Sequence, residues 1–324
     1  MAGARDRKPV WVDPMLAALT DRRFSDPDWI FERKLDGVRA LAVMTAGATR
    51  IWSRAHNDVT ASYPELAEAL DDATGVDDFI VDGEIVAFDG DRTSFEQLQR
   101  RIHQTDAFKV RNSGVPVFFY AFDLLRFDGH DVTPLALRER KALLAEALDL
   151  DDPLRLSEHR DEAGEEMFAY ACAHGWEGII AKKASSRYRP GRSRDWLKMK
   201  CIREQEMVVG GFTLPAGSRS NLGALLVGHY DAEGLRFAGK VGTGFSEGTL
   251  QSLRERLDPL ERTSRPFVDD PKEKGARWVE PRLVVQVKFG EWTSTGRLRH
   301  PSYVGIRTDK AAEDVVREEP GATA

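Results

Sequence analysis

Hydrophobic and polar positions along the first two hundred residues alternate in short stretches, separated by segments with helical spacing. Period-two alternation and short apolar runs predict strands at Trp29–Lys34, Val38–Met44, Phe79–Phe88, Val115–Leu125, Gly178–Lys183 and Trp196–Lys200. Helical spacing covers Tyr63–Leu70 and Pro134–Leu148, the latter with Thr133 as N-cap and Pro134 at the first helical position. Near residue 203 the pattern changes. Short apolar runs separated by glycines (Met207–Thr213, Ala224–Tyr230, Leu235–Val241, Leu283–Phe289) predict an all-β second domain, interrupted by one helix over Glu247–Leu257. The expected architecture is α+β: mixed sheets with flanking helices over 1–203, a small β barrel or sandwich over 204–312, and a disordered tail over 313–324.

Composition narrows the class. A chain of 324 residues suits two ordinary domains, and a 41% apolar fraction excludes global disorder. No apolar run reaches the roughly 18 residues of a membrane span, and the start Met-Ala-Gly-Ala-Arg-Asp-Arg-Lys lacks the apolar core of a secretion signal. Two cysteines, Cys172 and Cys201, cannot frame a disulfide scaffold or a Cys-rich zinc module, and they point to a reducing compartment. The expectation is a soluble cytoplasmic protein, with no membrane partner. A net charge of −6, taken alone, argues against nucleic acid as a partner. Charge placement reverses that inference. Residues 61–90 hold nine acids and no Lys or Arg, whereas residues 182–203 hold nine Lys/Arg and one acid, Asp195. The basic block interleaves with Tyr188, Trp196, Leu197 and Met199, so it is more than a solvated run.

Five segments carry chemistry. Glu32-Arg-Lys34-Leu-Asp36-Gly37-Val-Arg39 sets charges around an Asp-Gly turn between two strands, which by itself also suits an ordinary hairpin. Asp82 and Glu84 share one face of an otherwise apolar strand, with Gly83 allowing close backbone approach; buried carboxylates need a metal, a ribose or a cation. The strand containing Phe122-Asp123 offers aromatics suited either to a core or to base stacking. Glu177-Gly178-Ile-Ile-Ala-Lys182 opens a strand with an acid and follows it with a lysine. Lys198 and Lys200 share a face with Trp196, and two cations on such a face require anions, phosphate being the obvious one.

In this order the segments resemble the motifs of the covalent nucleotidyltransferases, which comprise DNA ligases, RNA ligases and mRNA capping enzymes. Ser53-Arg54 falls in place after the lysine motif. Arg297-Leu-Arg299-His300-Pro301 through Arg307-Thr-Asp309-Lys310 resembles the closing motif of ATP-dependent DNA ligases. Gly239-Lys-Val-Gly-Thr-Gly-Phe245 and Phe289-Gly-Glu-Trp292 bring the wording nearest the ligase module of bacterial end-joining ligases, and the resemblance runs from Pro14 to Lys310. One departure stands out: Arg54 is followed by Ala55-His56-Asn57-Asp58, where the family commonly has Asn-Gly. RNA ligases and GTP-using capping enzymes share the core, and an idle DNA-binding module could keep it; the closing motif favours a DNA ligase.

The resemblance implies a nucleotidyltransferase (adenylation) domain of mixed antiparallel sheets followed by an OB-fold. It implies a DNA ligase that seals nicked or broken duplex DNA, with ATP as the source of AMP. In that scheme Lys34 attacks the α-phosphorus of ATP, Lys198 and Lys200 hold the α-phosphate, and a desolvated cleft near these cations keeps the Lys34 amine neutral. The remaining nucleotide positions are Glu32, Arg39, Arg54, Glu84, Phe122, Lys182, Arg307, Asp309 and Lys310. Phe122 stacks on adenine, Arg39 and Arg54 meet AMP and the nick 5′-phosphate, and the last three orient pyrophosphate. Glu84 and Glu177 are the acids for Mg²⁺ or Mn²⁺. A bacterial, nucleoid-associated monomer acting in double-strand break repair, with Ku as a partner, completes the expectation.

Overall fold

A computed structural model describes residues 11–102, 104–215 and 221–319. The chain divides into two compact units, one built on residues up to Cys201 and one on Ile202–Glu318. No helix of the described residues is long and apolar enough to cross a membrane.

Unit 1 begins with β1 (Met15–Leu19), β2 (Trp29–Lys34), β3 (Val38–Thr45), β4 (Ala48–Ser53), α1 (Pro64–Asp72) and β5 (Asp78–Val86). A hairpin, β6 (Phe88–Asp89) and β7 (Arg92–Thr93), and two short helices, α2 (Phe95–Gln99) and α3 (Ala107–Arg111), follow. The unit continues with β8 (Phe118–Phe127), β9 (His130–Asp131), α4 (Leu137–Ala147), β10 (Leu154–Leu156) and β11 (His159–Asp161). It closes with α5 (Gly164–Ala173), β12 (Gly178–Lys183) and β13 (Gly191–Lys200). One sheet has the order β1-β13-β12-β2-β11; the other has the order β10-β8-β5-β3-β4, with β9 beside β8. Helix α5 covers the outer face of the first sheet, where Phe31, Met167, Ala171, Ile179, Ala181 and Met199 form a core. The inner faces of the two sheets meet: Arg39 of β3 donates to the Met15 carbonyl of β1 at 3.2 Å, and the Tyr188 hydroxyl donates to Asp82 of β5 at 2.6 Å.

The expected start of α4 is corrected. The helix begins at Leu137 after Ala136, not at Pro134, and Thr133 does not cap it. The Thr133 hydroxyl donates to Asp131 instead, and Glu139 reaches back to the Ala136 N–H at 2.8 Å. The first helical N–H groups, of Leu137 and Arg138, donate to the carbonyls of Ser186 and Ala184, so a tertiary contact sets the helix start. Cys172, on the last turn of α5, and Cys201, just after β13, form a disulfide.

Unit 2 comprises β14 (Glu204–Thr213), β15 (Ala224–Asp231), β16 (Gly234–Val241), α6 (Glu247–Leu257), β17 (Glu261–Arg262), β18 (Ala276–Val279), β19 (Val284–Lys288), β20 (Glu291–Trp292), β21 (Leu298–Arg299) and β22 (Ser302–Arg307). Strand β14 organises it. Along one edge β14 pairs with β15, and along the other it pairs first with β19 and then with β18. The register slips at Gly210, whose absent side chain leaves room for the Phe267 ring at 2.4 Å from where a Cβ would stand. A long strand that changes partner at a glycine bulge curls the sheet on itself, as an OB-fold requires. The tail is not frayed up to Glu318: Val315 is fully buried beside Val208, Leu226 and Phe237, its carbonyl accepts from Tyr230 N–H, and the Val316 carbonyl accepts from the Gln205 side chain. Residues 320–324 of the expected tail lie outside the described residues.

Candidate active site

Three rows of side chains cross the inner face of the first sheet. Register places Gly178 between Lys34 and Lys200, Ile180 between Glu32 and Lys198, and Lys182 between Ile30 and Trp196. Strand alternation turns all of these to the cleft, while Phe31, Ala181, Leu197, Ile179 and Met199 turn to α5. Neighbouring strands lie about 4.8 Å apart, so the Lys34 and Lys200 backbones stand about 10 Å apart with only glycine between them. The sheet thus gathers the three lysines expected to act on phosphate.

Lys34 ends β2, and its Nζ lies 2.5 Å from Glu177 Oε2; the Glu177 carboxylate is almost wholly buried. The Glu177 carbonyl accepts from Cys201 N–H, which ties the acid to the end of β13. Around Lys34 burial and charge oppose each other. Burial pushes its pKa down, but the ion pair with Glu177, aided by Glu84 and Asp36, overrides it and holds the group above the usual lysine value. Asp36 itself anchors the turn: its N–H donates to Thr93 Oγ1 and its carboxylate accepts from Phe95 N–H. Gly37 is required there, because a Cβ would lie 2.1 Å from the Ile85 carbonyl oxygen.

The far end of the cleft holds Glu32, Lys182 and Phe122. Lys182 Nζ donates to Glu32 Oε2 at 2.8 Å, and Ser157 Oγ donates to the same oxygen at 3.2 Å. Burial lowers Lys182 to about 8 against the opposing pull of Glu32. Phe122 sits in a β-bulge: Asp82 pairs with Asp123 and Gly83 with Ala121, which leaves Phe122 as the extra residue. A bulge re-aims the side chain it carries. The ring packs under the Arg39 guanidinium at 4.5 Å and Lys182 Nζ at 4.2 Å. Sequence reasoning missed Lys141 of α4, whose Nζ lies 2.9 Å from Glu32 Oε1. A signal for it existed: Leu137, Arg140, Lys141 and Leu144 fall on one helical stripe, so two cations occupy core positions, and both are buried.

Across the cleft, Arg39 makes a bidentate pair with Asp82, at 2.5 and 2.6 Å, and Asp82 is fully buried. Asp82 is therefore the anchor of Arg39, a role the sequence left open. Glu84 pairs in register with Arg39 and lies beside Gly37, within electrostatic reach of Lys34. Arg54 follows β4 in a tight turn in which Ser53 N–H donates to the Asn57 carbonyl and Asn57 N–H to Ser53 Oγ. His56 takes the left-handed conformation there (φ 59°), and its ring stacks on Trp11 at 4.1 Å. Stacking thus holds a histidine where Asn-Gly would adopt that conformation cheaply.

Arg307, Asp309 and Lys310 lie in unit 2. Arg307 pairs with Asp309 through two hydrogen bonds, at 2.8 and 2.7 Å, and Lys310 pairs with Glu206 at 3.3 Å. For a metal, no group of three or more His, Cys, Asp or Glu occurs among the described residues. Glu84 and Glu177 both act electrostatically on Lys34 and offer hard oxygen donors. This set fits Mg²⁺ or Mn²⁺ completed by phosphate oxygens and water, rather than a closed protein cage.

Comparison with known proteins bears on the family and the fold. The family model for the ATP dependent DNA ligase domain matches residues 14–200, and that for the ATP dependent DNA ligase C terminal region matches residues 218–310. The chain is 37% identical over 328 residues to the multifunctional non-homologous end joining protein LigD of Pseudomonas aeruginosa, covering 98% of this chain and 38% of that protein. It is 41% identical over 313 residues to the multifunctional non-homologous end joining DNA repair protein LigD of Mycobacterium tuberculosis, covering 94% and 40%. The chain thus spans about two-fifths of the length of these curated relatives. A solved mycobacterial DNA ligase D complexed with ATP and MES matches with a TM-score of 0.65 and 39% identity, over 94% of this chain and 98% of that one.

Proposed function

The chain belongs to the ATP-dependent DNA ligases, and we propose that it joins duplex DNA ends through an AMP carried on Lys34. One observation carries the reading: Lys34 is held by Glu177 in a row with Gly178 and Lys200. In the first step a bond forms between Lys34 Nζ and the α-phosphorus of ATP while the bond to the bridging oxygen breaks and pyrophosphate leaves. Lys34 must lose a proton first, and the Glu177 oxygen 2.5 Å away is placed to hold it. Lys198 and Lys200 face the same cleft and balance the charge that develops on the α-phosphate. A divalent cation at Glu84 and Glu177 would add positive charge against the phosphates.

At the base end, Glu32 is an acceptor and cationic Lys182 a donor, which complements the N6 amino group and N1 of adenine; Phe122 supplies the aromatic surface. Arg39, fixed by Asp82, meets AMP, and Arg54 meets the 5′-phosphate of the nick. This reading assigns Arg307, Asp309 and Lys310 to the leaving pyrophosphate of the first step. AMP then passes to the DNA 5′-phosphate, and the 3′-hydroxyl attacks that phosphorus and expels AMP. Bacterial end joining, with Ku as partner and the nucleoid as location, is the setting that suits this activity. The test is sealing of a nicked duplex with ATP, GTP or NAD, on DNA or RNA 3′-hydroxyl strands. Sealing of DNA with ATP is the expected result, and sealing only with NAD or GTP would overturn the reading.

A further inference from the structure

Lys141 has no part in the chemistry just described, yet it reaches three separate segments at the base end of the cleft. Its Nζ lies 2.9 Å from Glu32 Oε1 on β2, donates to the Ser157 carbonyl at 3.0 Å beyond β10, and approaches the Phe122 carbonyl of β8 at 3.5 Å. It is only 4% exposed, and it springs from α4, outside both sheets. One ammonium therefore links the acid of the first sheet to the bulge of the second. The Glu32 carboxylate is shared out, with Oε1 to Lys141 and Oε2 to Lys182 and Ser157. A carboxylate held by three partners on two sides has one orientation, and so does the bulge whose carbonyl Lys141 meets.

We propose that Lys141 is the positioning residue for purine-base recognition, fixing Glu32 and the Phe122 bulge so that the cleft accepts adenine and rejects guanine. The inference rests on the ligase reading above. Its chemistry is a matter of donors and acceptors. An ammonium at Lys182 can only donate, which suits N1 of adenine and opposes the N1–H of guanine, whereas a neutral amine can also accept. Lys182 is faced by Glu32 from β2, Lys141 from α4 and Asp123 from β8, the last held by Arg140. Arg39 from β3 shares the Phe122 ring with it, and His159 of β11 lies within reach of both Glu32 and Lys141. Among these, Lys141 opposes protonation of Lys182, which contributes to its value of about 8. Base selectivity should therefore decline as pH rises through about 8. Removing the Lys141 charge should move that decline to higher pH, while loosening Glu32 weakens capture of ATP at every pH.

The experiment measures formation of the covalent enzyme–AMP or enzyme–GMP adduct from α-labelled ATP or GTP between pH 6.5 and 9.5, on the full chain. The variants are Lys141→Met and Lys141→Arg, with melting temperatures recorded alongside. For Lys141→Met the expected result is an ATP KM raised about tenfold, with the rate at saturating ATP within about threefold of wild type. The ATP-over-GTP preference should also fall, and its pH dependence shift to higher pH. Lys141→Arg should return KM and preference toward wild type. Should Lys141→Met fail to fold, Lys141→Gln keeps a donor for the Ser157 carbonyl and carries the same readouts. Unchanged KM, preference and pH dependence in a folded neutral variant would overturn the inference alone. Absence of any adduct in the wild type would instead overturn the ligase reading.

Discussion

Replacing Gly178 with alanine tests the row on which the account rests. A Cβ at this position would stand 2.0 Å from the Met199 carbonyl oxygen and 3.0 Å from Lys200 Cα. Ordinary contact begins near 3.4 Å, so β12 and β13 would have to part by about 1.4 Å. The φ of +150° adds backbone strain for any residue with a side chain. Strain of about 1 kcal/mol and overpacking of about 1–3 kcal/mol predict a loss of about 2–4 kcal/mol. For a unit of this size that is a fall in melting temperature of about 5–12 °C. Function should suffer more than stability. Gly178 follows Glu177 and lies between Lys34 and Lys200, so the displacement moves the acid and the phosphate-facing lysine together. A misplacement of about 1 Å costs about 10²-fold in rate. The assay is single-turnover formation of enzyme–AMP from α-labelled ATP at a temperature where circular dichroism shows the variant folded. A rate within threefold of wild type, with an unchanged melting temperature, would refute the close-approach argument.

Three further outcomes follow from the same structure. Glu177→Gln keeps the shape beside Lys34 but removes the proton acceptor, so adenylation should fall about 10²- to 10³-fold, as read by the same labelling assay; a near-normal rate would remove Glu177 from the chemistry. The Cys172–Cys201 disulfide closes a separation of 29 residues, which chain entropy values at about 3.6 kcal/mol. Differential scanning calorimetry with and without dithiothreitol should therefore show a drop of several degrees for wild type and none for the Cys172→Ser/Cys201→Ser double variant. Val315→Asp places a carboxylate in a fully buried site and should destabilise unit 2 by about 3 kcal/mol or more, seen as a lower urea midpoint; an unchanged midpoint would show that the segment after Lys310 does not pack as described.

Much of this was legible in the chain because the relevant physics is local. The bounds of β2, β12 and α6 coincide with the pattern, since alternation in β2 and β12 and the apolar spacing Leu250, Leu253, Leu257 in α6 follow directly from burial on one face. The same alternation placed Lys34, Lys198 and Lys200 on one inner surface once the strands were paired. What was missed depends on contacts between distant segments. The start of α4 is set by carbonyls of residues 184 and 186, which no local capping rule can see. The tail is ordered by Val315 and Gln205, more than a hundred residues apart in sequence. The 2.5 Å approach of Glu177 to Lys34, across 143 residues of sequence, is equally invisible to any local pattern. The disulfide likewise depends on α5 ending beside the residue that follows β13.

The most direct measurement locates the covalent nucleotide. Incubation with α-labelled ATP and Mg²⁺, followed by digestion and mass spectrometry, should find one AMP, in an acid-labile phosphoramidate, on the peptide containing Lys34. Lys34→Ala should take up no label and should still seal a nick that already carries AMP on its 5′-phosphate. Label on any other residue, or label retained by Lys34→Ala, would contradict the account.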